Sequence, residues 1–350
     1  MTGVRARGED IRRYILEHVG KHPNDIGRIA SNHFRITRQA VNKHLHKLRL
    51  SQALIESGNT RSRIYKLAPL SEWLRHYEII PGLAEDLIWR NDVKKVISPL
   101  PDNVVDIWQY GFTEMFNNAI DHSSGSEIIV SIRKNAVSTE MLLMDNGIGI
   151  FKKIQTEMNF LDERHAILEL SKGKLTTDPK NHTGEGIFFT SRIFDSFTII
   201  SGGVYFNHRF GNDRDWVLES PQFESGTGVW MGINNNTART SKKIFDRFSS
   251  GDDFGFNKTV VPVKLAQYGD EKLISRSQAK RVLARVELFK VVIFNFEGVE
   301  FIGQAFADEV FRVFAQRHPE IELLSEKTNS EVRKMIARAK STHAGRVTDV

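Results

Sequence analysis

Residues 105–121 read VDIWQYGFTEMFNNAID. Apolar groups at Ile107, Trp108, Phe112, Met115, Phe116 and Ala119 recur at helical spacing, so the segment is a helix with one buried face. Glu114 and Asn118 stand four residues apart, one above the other on the same side of that helix. A carboxylate beside a carboxamide suits a magnesium site: the amide oxygen is a neutral ligand, and the carboxylate can polarise a water or hydroxyl. Glu and Asn at this spacing are also common on solvated faces, so the pair takes its meaning from what surrounds it.

Downstream, Ile128–Ile132 alternates as a strand and Met141–Met144 makes a second, followed by Asp145-Asn146-Gly147-Ile148-Gly149-Ile150. An Asp at a strand end followed by two glycines lets the backbone approach a ligand while the carboxylate accepts a hydrogen bond, for example from an exocyclic amine. Thr183-Gly184-Glu185-Gly186-Ile187 then opens the apolar helix Phe188–Phe194, placing glycine amides at a helix N-terminus, where phosphate is welcome. Gly226-Thr227-Gly228 precedes a last strand, Val229–Ile233. Without a ligand these are a hairpin turn and an ordinary helix start. The order and spacing of the pieces weigh against that.

Taken together, the boxes resemble the GHKL superfamily of ATPases, the Bergerat fold shared by gyrase-type enzymes, mismatch-repair proteins, histidine kinases and anti-sigma-factor kinases. Glu114, Asn118, Ala119 and His122 meet the ExxxN-A-x-x-H box, Asp145, Gly147 and Gly149 the DxGxG box, and Gly184 and Gly186 the GxG box. The resemblance spans roughly residues 100–235. It implies ATP with magnesium: Asp145 on the adenine amine, Asn118 on the metal, Glu114 as candidate general base, and Gly184 and Gly186 at the phosphates. His122, Gly147, Gly149 and Thr227 complete the implied nucleotide set. Residues 151–183 become the lid, with Lys172, Lys174, Lys180 and His182 as candidate phosphate contacts. A sensor histidine kinase needs a phosphoacceptor helix just upstream, and His76 in WLRHYEIIPGL lacks the matching surroundings. The compact core and the sequence NAIDHS resemble the anti-sigma-factor kinase branch most.

Upstream, Ile11, Ile15, Leu16 and Val19 mark a first helix; Ile26, Ile29, Ala30 and Phe34 a second; and Ala40, Val41, Leu45 and Leu48 a third, capped by Thr37. Leu54–Glu56, a turn at 57–60 and Arg61–Leu67 read as a hairpin. This stretch resembles a winged helix-turn-helix domain. Thr37, Arg38, Gln39, Asn42, Lys43 and His46 face away from the apolar stripe and offer base-edge donors and phosphate neutralisers; Arg61 and Arg63 would grip the backbone from the wing. A winged helix used to bind protein is the alternative.

Beyond the central boxes, strand-like 259–265, 290–296 and 320–324 alternate with helical 276–288, 303–317 and 328–340, which argues for a sheet covered by helices. VVIFNFEGVEFIGQAFADEVF resembles the STAS domain of anti-anti-sigma factors, specifically a STAS-like domain of unknown function. In that signalling family the helix begins with a phosphorylatable Ser, whereas Gly303, Gln304 and Ala305 stand here. The departure speaks against phosphorylation at this place and leaves docking open. A tail that only adds core or a dimer surface is the alternative.

Composition sets the outer bounds. The 350 residues, 40% hydrophobic and 26% charged, exceed one domain and exclude bulk disorder. With no cysteine there is no disulfide, thiol nucleophile, iron–sulfur cluster or thiolate zinc site. The charged start MTGVRARGEDIRR and the lack of a long apolar run point to a cytoplasmic chain with no membrane span. Residues 1–68 hold fourteen Lys/Arg against five Asp/Glu, a local +9, within a chain of net +6. A basic head on a near-neutral body points to a polyanion, most simply double-stranded DNA.

The expected architecture is an α+β multidomain chain: a winged helix head (1–68), a helical connector (69–100), a Bergerat α/β sandwich ATPase core (101–240) and a STAS-like α/β tail (255–340). The expected function is an ATP-binding, nucleotide-responsive DNA-binding regulator, working as a homodimer on two half-sites, with a protein partner for the tail. The alternative is a partner-switching serine/threonine protein kinase or ATPase whose head binds protein.

Overall fold

The computed structural model describes residues 2–59, 62–180, 183–219, 225–250, 253–267 and 271–344 as an α+β chain with several sheets. At its start α1 (Thr2–Val19), α2 (Ile26–Phe34) and α3 (Arg38–Leu50) precede a hairpin of β1 (Leu54–Ser57) and β2 (Ile64–Leu67). The apolar stripes of the three helices close on Leu54 and Tyr65 and form a core of their own. Thr37 Oγ1 accepts the Ala40 amide at 3.2 Å, and this cap starts α3 with its polar face outward.

Where the sequence suggested helices across 69–100, residues 71–78 are instead a strand, β3 (Ser71–Glu78), paired antiparallel along its length with residues 127–134. Trp73 and Tyr77 are half-buried against the sheet and Leu74 faces out. Two aromatic residues four apart fit one side of a helix and one face of a strand equally well, and only sheet pairing decides between them. Helical residues follow in α4 (Glu85–Ile88), a π turn (Trp89–Val93) and α5 (Lys94–Ile97).

Next come α6 (Asp102–His122), β4 (Glu127–Lys134), β5 (Ser138–Asp145), α7 (Ile150–Glu157), α8 (Glu163–Lys172), α9 (Gly186–Ile193), β6 (Ser196–Ser201), β7 (Val204–Arg209), β8 (Asn212–Glu219) and β9 (Thr227–Asn234). The strands form one antiparallel sheet in the order β3-β4-β5-β9-β6-β7-β8. Its inward face meets the buried face of α6, where Trp108, Phe112 and Phe116 are fully enclosed.

After α10 (Ser241–Phe248) and a short pair, β10 (Ser249–Ser250) with β11 (Asp253–Phe256), the chain forms β12 (Lys258–Pro262), α11 (Arg276–Leu283), β13 (Val291–Asn295), α12 (Gln304–Asp308), α13 (Ala315–Arg317), β14 (Glu322–Glu326) and α14 (Ser330–Ala344). β12, β13 and β14 are parallel neighbours, each joined to the next through helix. The apolar interior of the main sheet continues into this tail without a break. Aromatic rings make the seam: Phe188–Phe256 at 4.5 Å, Phe189–Phe256 at 4.9 Å and Phe256–Phe289 at 5.2 Å between centroids.

Candidate functional site

Alternation along β5 puts Thr139, Met141, Leu143 and Asp145 on the inward face, so the strand ends with a carboxylate at a core position. Its partner in the register is Thr227, the first residue of β9. The amides of Gly147 and Thr227 donate to Asp145 Oδ1 at 2.9 and 3.2 Å. Burial pushes the carboxyl pKa up, while those two amides and the Thr227 hydroxyl work against the rise. A carboxylate held in this way is a directional acceptor.

The turn behind it has little freedom. A Cβ on Gly147 would lie 2.0 Å from the Ser123 carbonyl oxygen, and that oxygen accepts the Ile148 amide at 2.9 Å. Gly149, at φ +88°, caps α7, whose Ile150 amide donates to Thr227 Oγ1 at 3.0 Å. The end of α6, the end of β5 and the start of β9 are thereby locked to one another.

α6 forms the facing wall. Glu114, Asn118 and His122, together with Asp145, Gly184, Gly186 and Thr227, line one cavity of about 440 Å³. That volume is in the range of small-molecule sites. Gly147 and Gly149 do not line it; they shape the turn that presents Asp145. Gly186 is the first residue of α9, and a Cβ there would stand 2.0 Å from Glu114 Oε2, so the carboxylate lies directly against the start of that helix. Burial raises the pKa of Glu185, one residue earlier, with Lys174 opposing the rise. Leu143, Ile154, Ile199 and Val229 give the cavity an apolar side. No group of three or more His, Asp or Glu residues placed to hold a metal occurs among the described residues. A divalent cation here would depend on Asn118, Glu114 and oxygens brought by a ligand.

The lysines expected to contact phosphate depart from expectation. Lys172 is buried in an ion pair with Glu169 at 2.6 Å and also donates to the Arg281 and Ala284 carbonyls, on the tail. Lys174 donates to the Leu288 carbonyl at 2.9 Å and lies over the Phe289 ring. Neither they nor Lys180 lines the cavity, and His182 lies outside the described residues. The ammonium that does line it is Lys153, which donates to the His122 carbonyl at 2.9 Å. Its signal in the sequence is its place four residues after Gly149, one turn into the helix that the glycine starts.

On the head, Thr37, Arg38, Gln39, Asn42, Lys43 and His46 are all exposed along one side of α3. Arg63 does not stand free: its Nε lies 2.8 Å from Glu56 Oε1, and Arg49 approaches the other oxygen of the same carboxylate at 2.6 Å. Arg61 lies outside the described residues.

No helix among the described residues is long and apolar enough to cross a membrane. Comparison with curated proteins and with solved structures finds no match. Comparison with protein families finds one in the tail, from within α11 into α14: residues 278–333 match the STAS-like domain of unknown function (DUF4325).

Proposed function

We propose that the chain is an ATP-binding, nucleotide-responsive DNA-binding regulator. One observation carries the nucleotide reading: Glu114, Asn118, Asp145, Gly184, Gly186 and Thr227, drawn from α6, β5, the start of α9 and β9, converge on a single cavity. The chemistry of that set fits ATP with magnesium, as the resemblance to GHKL ATPases implies. Asp145 is an acceptor beside apolar walls, which suits the amine of a flat heterocycle. The amides at the start of α9 suit phosphate, and Lys153 adds a positive charge to the same cavity. Asn118 would hold the metal, and Glu114 would take a proton from a water or hydroxyl if the nucleotide is turned over.

The DNA reading is supported by the local charge of +9 in residues 1–68 and by the exposed polar side of α3 in a winged-helix-like head. A partner protein for the STAS-like tail and a homodimer placing two heads on two half-sites complete the reading.

Labelled duplex DNA, titrated with the whole chain with and without ATP and magnesium over a salt series, tests it. Salt-sensitive binding that changes with nucleotide is the expected result. Absence of DNA binding in every state rejects the regulator and transfers the head to protein recognition, as in a partner-switching kinase.

A further inference from the structure

We propose that the STAS-like tail positions the wall of the nucleotide cavity through Lys172, Lys174 and Arg285, so that tail docking and nucleotide retention are energetically coupled. The proposal rests on the nucleotide reading of the cavity and specifies which contacts regulate it.

α8 lies between the two. Its residues from Ala166 to Lys172 are all buried, and Leu170 lines the cavity. On the tail side the Lys172 ammonium meets Glu169 Oε1 at 2.6 Å, the Ala284 carbonyl at 2.8 Å and the Arg281 carbonyl at 3.2 Å. An ammonium has three N–H donors, and one carboxylate and two tail carbonyls match that number. The two carbonyls lie at the C-terminal end of α11, the negative end of its dipole. In return, Thr259 of β12 donates its hydroxyl to the Lys172 carbonyl at 2.6 Å.

The ties continue past the end of the helix. Gly173, at φ +86°, turns the chain against Phe256. Lys174 Nζ reaches the Leu288 carbonyl at 2.9 Å, and the Arg285 guanidinium donates to the Lys174 carbonyl while its Nε lies 3.7 Å from Glu169 Oε2. The next three residues, Leu175, Thr176 and Thr177, line the cavity. Leu175 is also the backbone against which Gly184 packs: a Cβ on Gly184 would stand 2.5 Å from the Leu175 carbonyl carbon. A shift at 172–174 therefore moves a cavity wall one to three residues away, together with the phosphate-side glycines. Breaking a buried tie of this kind from one side leaves a charge without its partner, so the ties hold the end of α8 to the tail.

Coupling of this sort is reciprocal: if the tail holds the wall for nucleotide, nucleotide must hold the tail. The whole chain is loaded with mant-ATP and magnesium, and release is followed after a chase of unlabelled ATP. In Lys174→Ala/Arg285→Ala, checked for fold by circular dichroism, release should be about tenfold faster, and Arg285→Lys should restore part of the retention. In the wild type, ATP should slow amide exchange at 284–290, on the tail. Unchanged release from the folded variant, or exchange at 284–290 that ignores ATP, overturns the coupling and leaves the nucleotide site standing. A wild type that does not take up mant-ATP overturns the site itself, and the coupling with it.

Discussion

Burial raises the Asp145 pKa above the ordinary aspartate value of 3.8, so the folded chain holds that proton more tightly than the unfolded one. The sign follows from linkage: the contribution to stability is fully present below the unfolded pKa and is lost as pH rises through the folded one. At pH 7 the carboxylate is thus a destabilising group retained at the cavity. Asp145→Asn keeps an oxygen for the Gly147 and Thr227 amides and removes the charge, so its melting temperature at pH 7 should equal or exceed that of the wild type in a thermal shift assay. The same variant should lose ATP binding by calorimetry, because half of the amide is a donor facing a donor. In the wild type, ATP affinity should fall on acidification with a midpoint above 3.8, the opposite direction from an exposed, ion-paired aspartate. Glu114 acts on a different quantity. Glu114→Gln preserves its size beside Gly186 and should leave binding within a few-fold, while any turnover drops by about 100-fold or more in a phosphate-release assay.

α8 shows what one element does with a buried pair. Burial drives the Lys172 pKa down and the Glu169 pKa up, each against the pull of the other. Breaking such a pair from one side leaves a charge without its partner, so Lys172→Met should cost about 3–5 kcal/mol in urea unfolding, and adding Glu169→Gln should recover much of it. The pair itself is local, three residues apart on one helix, but its burial and its tail partners are not. That Glu114 and Asn118 share one side of α6 was legible from the helical repeat, whereas their facing Asp145 across one cavity rests on how α6 packs against the sheet. The tail was legible from periodicity too, since strands 291–295 and 322–326 alternate with amphipathic helices. Lys172 and Lys174 were misread because their partners, Arg281, Ala284 and Leu288, arrive more than a hundred residues later. In a segment read as a glycine-bounded lid, an unassigned lysine looks like a phosphate contact until the chain returns. β3 was misread for a related reason: Trp73 and Tyr77 repeat at a spacing that both periods satisfy, and β4 decides between them.

At the scale of the molecule, charge and core divide the chain differently. The basic head has a core of its own, whereas the main sheet and the STAS-like tail share one apolar interior. The head is nonetheless joined by backbone: the Ala68 amide bonds to Ala53 in the head, the Leu70 amide bonds to Lys134 of β4, and Ala136 packs on the head's core. β4 and β5 then run from that joint to the cavity, with Lys134 near the head and Ile128 opposite Asp145 at the other end. The same two strands thus carry the joint with the head at one end and a cavity residue at the other, and two independent binding readouts can separate the ends. Arg38 is exposed at the start of α3, far along the chain from every cavity residue. If it neutralises a phosphate, Arg38→Ala should weaken duplex binding and reduce the slope of log affinity against log salt by about one for each head engaged. ATP affinity measured by calorimetry on the same preparation should not move. A variant with the wild-type salt slope would place the DNA-binding face elsewhere than on α3, and one that loses ATP affinity as well would show that the head and the cavity cannot be perturbed separately.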